Sequence, residues 1–251
     1  MRKIACKPPR REPREQAESA DPGITAAAGR VVVLDGAVEV FTLDLRCDAW
    51  QAVDARAYLT PAERWIAGRL RSDQRRAQYI AARALLRLLL AERLGVEPQA
   101  LTITSSSHGK PRLTGAQRNA WRFNVSHSCA VVLIALCRDH PVGVDVEQLR
   151  STRWRSLLAR ICDSRELTEA RAEVPLAGEC AFFERWVAKE AVLKALGMGM
   201  TVSPALVGLR RSGDGDLRVC GALPGPSRST CQLVPLEMPA GFVAALAVIP
   251  R

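Results

Sequence analysis

Lysine is almost missing from this chain. Of its 36 basic residues only Lys3, Lys7, Lys110, Lys189 and Lys194 are lysine, and against 26 acidic residues they leave a formal charge of +10. Where arginine is the default surface cation, a retained lysine marks a place that calls for a compact point charge rather than a planar fork. Aromatic residues are also sparse, at 5%, whereas single-strand nucleic-acid grooves interleave cations with stacking rings. No apolar run reaches the roughly 20 residues that span a bilayer. The first thirty residues lack the apolar centre of a secretory signal, so the expected location is cytoplasmic, with no membrane partner. Three histidines and eight cysteines without a CxxC pair give no zinc-ligand spacing and read as reduced, mostly core thiols. The phosphate loop GxxxxGKS/T is absent as well.

What remains describes an ordinary globule with an anionic partner. The 251 residues, 48% hydrophobic, can build one large domain or two of about half that size. The net charge calls for nucleic acid, a phosphate-rich small molecule or an acidic protein. Residues 1–29 are rich in Pro, Arg, Glu and Ala and read as a disordered arm. Strands are expected at 31–34 and 38–45. Thr60 then caps a helix with Pro61 first and Glu63 closing a capping box. Residues 75–94 form a long helix with Tyr79, Ala82, Leu86 and Leu89 or Leu90 on its core face, ended by Gly95. On it Arg75, Arg76, Arg83 and Arg87 read as a solvated face. Residues 105–111, SSSHGKP, are a turn-rich loop exposing Lys110. A strand at 122–128 gives way to polar loop near His127, and 130–137 is a continuous apolar strand. Residues 150–180 are helical and charged with a breaker at Pro175 and Gly178, short strands fill 202–239, and 241–248 is a last apolar strand.

Two stretches carry chemistry. In PVGVDVE, Val142, Val144 and Val146 point to one face and Gly143, Asp145 and Glu147 to the other. Carboxylates so placed repel unless a cation is supplied. Either this is the polar outer face of a half-exposed strand, or the pair are oxygen ligands for a hard divalent ion, magnesium where phosphates are bound. In the helix 182–197, Phe183, Val187, Glu190 and Lys194 share one stripe. An acid and a base amid apolar neighbours are either an i,i+4 surface pair or buried charges that need partners. Strand 241–248 echoes 130–137, and AKEAVLKAL echoes ARALLRLLL at a similar offset, which suggests two copies of one helix-plus-sheet unit.

GKP at 109–111, FNVSHS at 123–128, VGVDVE at 142–147 and WVAKEAVLK at 186–194 together resemble the 4'-phosphopantetheinyl transferases, specifically the longer Sfp-type members. LTPAER and AARALLR are similar to that family's first half. The resemblance implies an α+β fold in which two similar helix-plus-antiparallel-sheet lobes are fused about a pseudo-twofold, with lobes at 30–148 and 149–251 and the arm 1–29 outside. It implies transfer of 4'-phosphopantetheine from coenzyme A to a serine of an acidic acyl or peptidyl carrier protein, with release of adenosine 3',5'-bisphosphate. By the same resemblance Asp145, Glu147 and Glu190 are magnesium ligands, with Glu190 as ligand or base, and Lys194 lies near the pyrophosphate. Lys110, Pro111, Ser126, His127 and Lys189 border coenzyme A. Gln78 stands where many relatives carry arginine, which shifts a 3'-phosphate contact to Arg75 or Arg76. A monomer without nucleic-acid partner is expected; a basic nucleic-acid-binding protein is the alternative, supported by charge alone.

Overall fold

The structure, a computed structural model, describes residues 22–106, 110–225 and 230–250. Most of the expected arm and the centre of the 105–111 loop lie outside these. The arm's last residues are ordered, contrary to expectation. Helix α1 (Pro22–Ala27) and strand β1 (Gly29–Val33) occupy them, because Ile24 and Ala28 join the apolar core below.

Strand β2 (Val38–Asp44) alternates, with Val38 and Val40 in one apolar cluster and Phe41 and Leu43 in another. After the short α2 (Asp48–Gln51), α3 (Pro61–Arg69) begins with the expected capping box, in which the Thr60 side chain and the Glu63 backbone and carboxylate satisfy one another. Helix α4 (Asp73–Leu94) is capped by Ser72 and stopped by Gly95 at φ 63°. It is buried nearly all round from Ala81 to Ala91, so its arginines are not one solvated face. Arg87 is 2% exposed; it forks onto Glu63 at 2.7 and 3.0 Å and donates to the Pro98 and Leu101 carbonyls. A buried guanidinium requires such complete pairing.

Strands β3 (Ile103–Ser105) and β4 (Pro111–Leu113) form a small hairpin, followed by β5 (Arg122–Ser128), β6 (Val131–Cys137) and β7 (Val142–Gln148). Helix α5 (Trp154–Ile161) leads into α6 (Ser164–Ala195), which is broken at Gly178 (φ 54°, ψ −129°), the expected breaker. The remaining strands are β8 (Gly208–Arg211), β9 (Leu217–Cys220), β10 (Gln232–Leu236) and β11 (Phe242–Val248). The first main sheet runs β1-β2-β6-β5 and the second β10-β11-β7, both antiparallel. Strand β7, expected with the first lobe, is therefore laddered to β11 in the second sheet, and the two sheets divide between β6 and β7.

The layers follow from the side chains. Central strand β6 is buried at every position. Its Val132, Ile134 and Leu136 pack with α4, while Val131, Leu133 and Ala135 meet Val142, Val144 and Val146 of β7 and alternate residues of β11. The other face of β11, Ala245 and Ala247, packs against Val187, Ala188, Ala191 and Ala195 of α6. The order is helix, sheet, sheet, helix, with the valines of β7 facing inward as expected. Among the described residues no helix is long and apolar enough to cross a membrane.

Gly143 sets how near α6 lies to β7. A Cβ there would meet the Ala191 carbonyl oxygen at 2.1 Å and the Ala195 nitrogen at 2.4 Å, both backbone atoms. Gly143→Ala should therefore lose about 1–3 kcal/mol or more of stability through overpacking. Gly68→Ala, in α3 with open space around it, should gain up to about 1 kcal/mol from helix propensity. Chemical denaturation of the two variants measures both.

Candidate active site

An edge strand leaves backbone groups unpaired and needs cover. Strands β5 and β7 are each the last strand of a sheet, and they cover one another through side chains. The Val144 N–H donates to Asn124 Oδ1 at 2.9 Å, Ser126 Oγ donates to Asp145 Oδ1 at 2.8 Å, and Ser128 Oγ donates to Glu147 Oε2 at 3.0 Å while accepting from the Gln148 N–H at 3.1 Å. The three β5 side chains recur with strand period two, so one face of β5 runs along β7 as a polar seam.

Helix α6 closes this seam from the outside. Lys194 Nζ donates to Asp145 Oδ1 at 2.6 Å, to Ser126 Oγ at 3.1 Å and to the Val144 carbonyl at 3.2 Å. One turn earlier lies Glu190, 5% exposed. The surface-pair alternative for Glu190 and Lys194 is thus excluded: the acid is buried and the ammonium reaches across to the sheet. Burial first, and then the Asp145 charge, push the Glu190 carboxyl up to about 7. Burial also raises the Glu147 pKa, opposed by hydrogen bonds from Ser128 and the Trp186 indole. Ser126, Asp145 and Lys194 are therefore in direct contact, and Glu190 lies near enough to Asp145, Glu147 and Lys194 to feel their charges. Asn124, Ser128 and Trp186 were not singled out; the polar alternation Asn124, Ser126, Ser128 in an apolar strand was the available signal.

Other expected site residues are placed differently. Lys110 is not exposed: its ammonium donates to the Lys194 carbonyl at 2.6 Å and the Val142 carbonyl at 3.2 Å, and burial, then Lys194 and Arg122, lower its pKa to about 8. Pro111 follows at the start of β4. His127 is exposed on β5, and the protein around it, then the Lys194 ammonium, lower its pKa. Lys189 is not brought to this cluster. It is 0% exposed on another face of α6, where its ammonium meets Glu166 at 2.6 Å and the Pro204 and Val207 carbonyls. Arg76 is engaged by Asp73 and the Leu70 carbonyl, Arg75 is exposed, and no contact brings either to the seam among the described residues. Gln78 does reach it, donating to the Cys129 carbonyl at 2.7 Å beside Ser128.

Asp145 Oδ2 and Glu190 Oε1 are buried with no hydrogen-bond partner. Unsatisfied buried carboxylate oxygens are costly, and a set of hard oxygen donors suits a divalent cation such as magnesium. Among the described residues no three His, Cys, Asp or Glu side chains are placed so that together they could hold a metal ion, and Lys194 occupies Asp145 Oδ1. Donor type and the two orphaned oxygens suit such an ion, while the three carboxylates are not drawn onto one point.

The mixed helices and antiparallel sheets, with lysine, carboxylate and hydroxyl side chains along the seam between them, define an α+β protein. Comparison with known proteins gives that class its family. The profile of the 4'-phosphopantetheinyl transferase superfamily matches residues 141–247, and that of the 4'-phosphopantetheinyl transferase N-terminal region matches residues 48–138. The chain is similar to a putative 4'-phosphopantetheinyl transferase of Synechocystis sp., 33% identical over 150 residues, which are 58% of this chain and 60% of that protein. It is 33% identical over 172 residues to the 4'-phosphopantetheinyl transferase HetI of Nostoc sp., covering 68% of this chain and 73% of the relative. With AcpT of Salmonella typhi, another 4'-phosphopantetheinyl transferase, it shares 34% over 124 residues, 49% of this chain and 60% of the relative. The chain belongs to the 4'-phosphopantetheinyl transferase superfamily. It spans less than two thirds of the Synechocystis and Salmonella relatives' lengths.

Two stability measurements separate the roles of the two buried α6 charges. Lys189→Met leaves Glu166 buried without its close partner and should cost about 3–5 kcal/mol in urea unfolding. For Glu190 the folded pKa, about 7, lies above the ordinary 4.5, so the folded state favours the protonated form. Its contribution is fully present below about 4.5, is lost as pH rises toward about 7, and is absent above. Without divalent ions Glu190→Gln should therefore be more stable than the parent at pH 8, on the order of 3 kcal/mol, with the difference vanishing near pH 4.

Proposed function

We propose that this chain transfers 4'-phosphopantetheine from coenzyme A to a serine of a carrier protein, releasing adenosine 3',5'-bisphosphate, with a divalent cation, magnesium by preference, as cofactor. The observation that carries this is the meeting of Asp145, Glu147 and Glu190 with Lys194 and Ser126 at the seam, two of the carboxylates retaining buried, unpartnered oxygens. The names of the relatives and the family profiles support the same reading.

The chemistry is displacement at the pantetheine-side phosphorus of the diphosphate. The serine oxygen forms a new bond to that phosphorus, its proton passes to a carboxylate, and the bridging oxygen leaves with the nucleotide phosphate. Glu190 is the residue for the proton: it is shielded from water and lies one turn from Lys194 on α6, within the group of charges where a general base is needed. Lys194 supplies a point charge against the diphosphate, and its three present contacts hold it in place before substrate arrives. Asp145, Glu147 and Glu190 would hold the cation, which when bound offsets diphosphate charge in the way usual for phosphoryl transfer. Ser126 orients Asp145 and Lys194 together. Lys110, Pro111 and exposed His127 border the donor's nucleotide end, with Arg75 or Arg76 nearest its 3'-phosphate. Lys189 has a structural place and is not needed for binding.

The carrier is expected to be acidic, meeting the basic surface of a monomeric enzyme in the cytoplasm. The helix-backed sheets on either side of the seam support viewing the halves as two copies of one unit. A single experiment tests the proposal. The protein is incubated with coenzyme A, magnesium and apo carrier proteins from fatty acid, polyketide and nonribosomal peptide synthesis, and each carrier is weighed. A gain of one phosphopantetheine is expected on at least one carrier, lost with Glu190→Gln in a folded variant. No gain on any carrier would end the reading, and near-normal turnover by Glu190→Gln would remove that residue from its role.

A further inference from the structure

The turn between β5 and β6 is two residues long, since Ser128 and Val131 still pair across it, and its first residue, Cys129, is left-handed at φ 49°. Tight hairpin turns favour glycine at such a position, and a residue with a side chain keeps that backbone only where its surroundings hold it. Three contacts do so. Gln78 of α4, 6% exposed, donates from Nε2 to the Cys129 carbonyl at 2.7 Å. The Cys129 thiol donates to Gln148 Oε1 at 2.8 Å, and the Leu45 N–H donates to the Ala130 carbonyl at 2.7 Å.

What the turn carries is Ser128. Its hydroxyl donates to Glu147 Oε2 at 3.0 Å and accepts from the Gln148 N–H at 3.1 Å, so one side chain at the base of the turn fixes both a candidate acid and the end of β7. Helix α4 is otherwise held to β6 by apolar contacts with Val132, Ile134 and Leu136. Such contacts have no preferred direction, whereas a short hydrogen bond does. Among the described residues the Gln78 side chain makes no other hydrogen bond, so its influence on the seam passes through this turn.

We infer that Gln78 is a positioning residue for Glu147: from α4 it fixes the β5–β6 turn, and Ser128 of that turn sets the direction of the carboxylate. Without the hold, Cys129 relaxes toward ordinary backbone, Ser128 turns away, and Glu147 keeps the Trp186 indole as its hydrogen-bond partner. The consequence for catalysis rests on the transfer proposed above. The mechanical link from α4 to β7 does not.

The test is amide hydrogen exchange followed by NMR on the full chain, free of coenzyme A, carrier and divalent ions. Two N–H groups of β7 that bond to β5 side chains are the reporters: Gln148, on the same hydroxyl that holds Glu147, and Val144, on Asn124 farther along the seam. In Gln78→Met, similar in size but without the donor, Gln148 should exchange at least about tenfold faster while Val144 stays within about twofold of the parent. Gln78→Asn, one methylene short, is the milder variant should Gln78→Met fold poorly, and it should move Gln148 in the same direction. Ser128→Ala should free the Gln148 amide by itself, with no further change when Gln78→Met is added. An unchanged Gln148, equal acceleration of both amides, or full additivity in the double variant each overturn the proposal. In the transfer assay Gln78→Met should lower kcat about three- to tenfold with KM for coenzyme A unchanged within about twofold. A raised KM at constant kcat would make Gln78 a substrate contact and overturn the proposal as well. A parent chain that modifies no carrier loses the transfer alone, because the exchange rates still decide whether Gln78 governs the turn.

Discussion

Two carboxylates on one face of a strand, and a third facing them from a helix, would drive each other apart in a low-dielectric interior. They stay together because α6 lies close enough to β7 for Lys194 to reach Asp145 and the Val144 carbonyl, and that closeness exists because position 143 has no side chain. Coulomb attraction between the ammonium and Asp145 offsets part of the repulsion. Burial first, and then the repulsion that remains, raise the pKa of Glu190 and Glu147. Such stored electrostatic strain is common where a protein receives a cation or moves a proton.

The rest of the architecture supports this one arrangement. The valines of β7 are packed against the first sheet, which fixes Asp145 and Glu147 on the opposite face toward α6. Asn124, Ser126 and Ser128 then set β7 along its length from β5. Behind the sheets, α4 fills one side with alanine and leucine, while the Arg87–Glu63 fork ties it to α3. On the far side of α6 the Lys189–Glu166 pair neutralises a buried charge well away from the seam. Two lysines five positions apart on one helix, Lys189 and Lys194, thus do unrelated things because they face different neighbours.

Much of this was legible from residue order alone. The capping box at Thr60, the stop at Gly95, the break at Gly178 and the inward valines of β7 all depend on local backbone preference or period, which a sequence displays directly. What the sequence concealed were partners distant along the chain. Arg87 looks like any helix-surface cation until Glu63, 24 positions away, is folded against it. Lys110 sits in a turn-rich loop yet its ammonium is taken up by two carbonyls from another sheet and helix. The assignment of β7 to the first lobe failed for a related reason: a strand's neighbours are chosen by pairing with β11, nearly a hundred residues later. Ile24 likewise turns an apparently unstructured approach into a helix only because a core lies beneath it.

The side-chain closure between β5 and β7 has an implication for how the two halves tolerate change. A shared ladder would bind both sheets to a common register, so that an insertion in one would displace every residue of the other. Here each ladder ends on its own side, and what crosses is side chains: the apolar contacts between the sheets and a short row of amide, hydroxyl and carboxylate groups. A change of length in a loop or outer strand is therefore not carried by a backbone ladder into the opposite sheet.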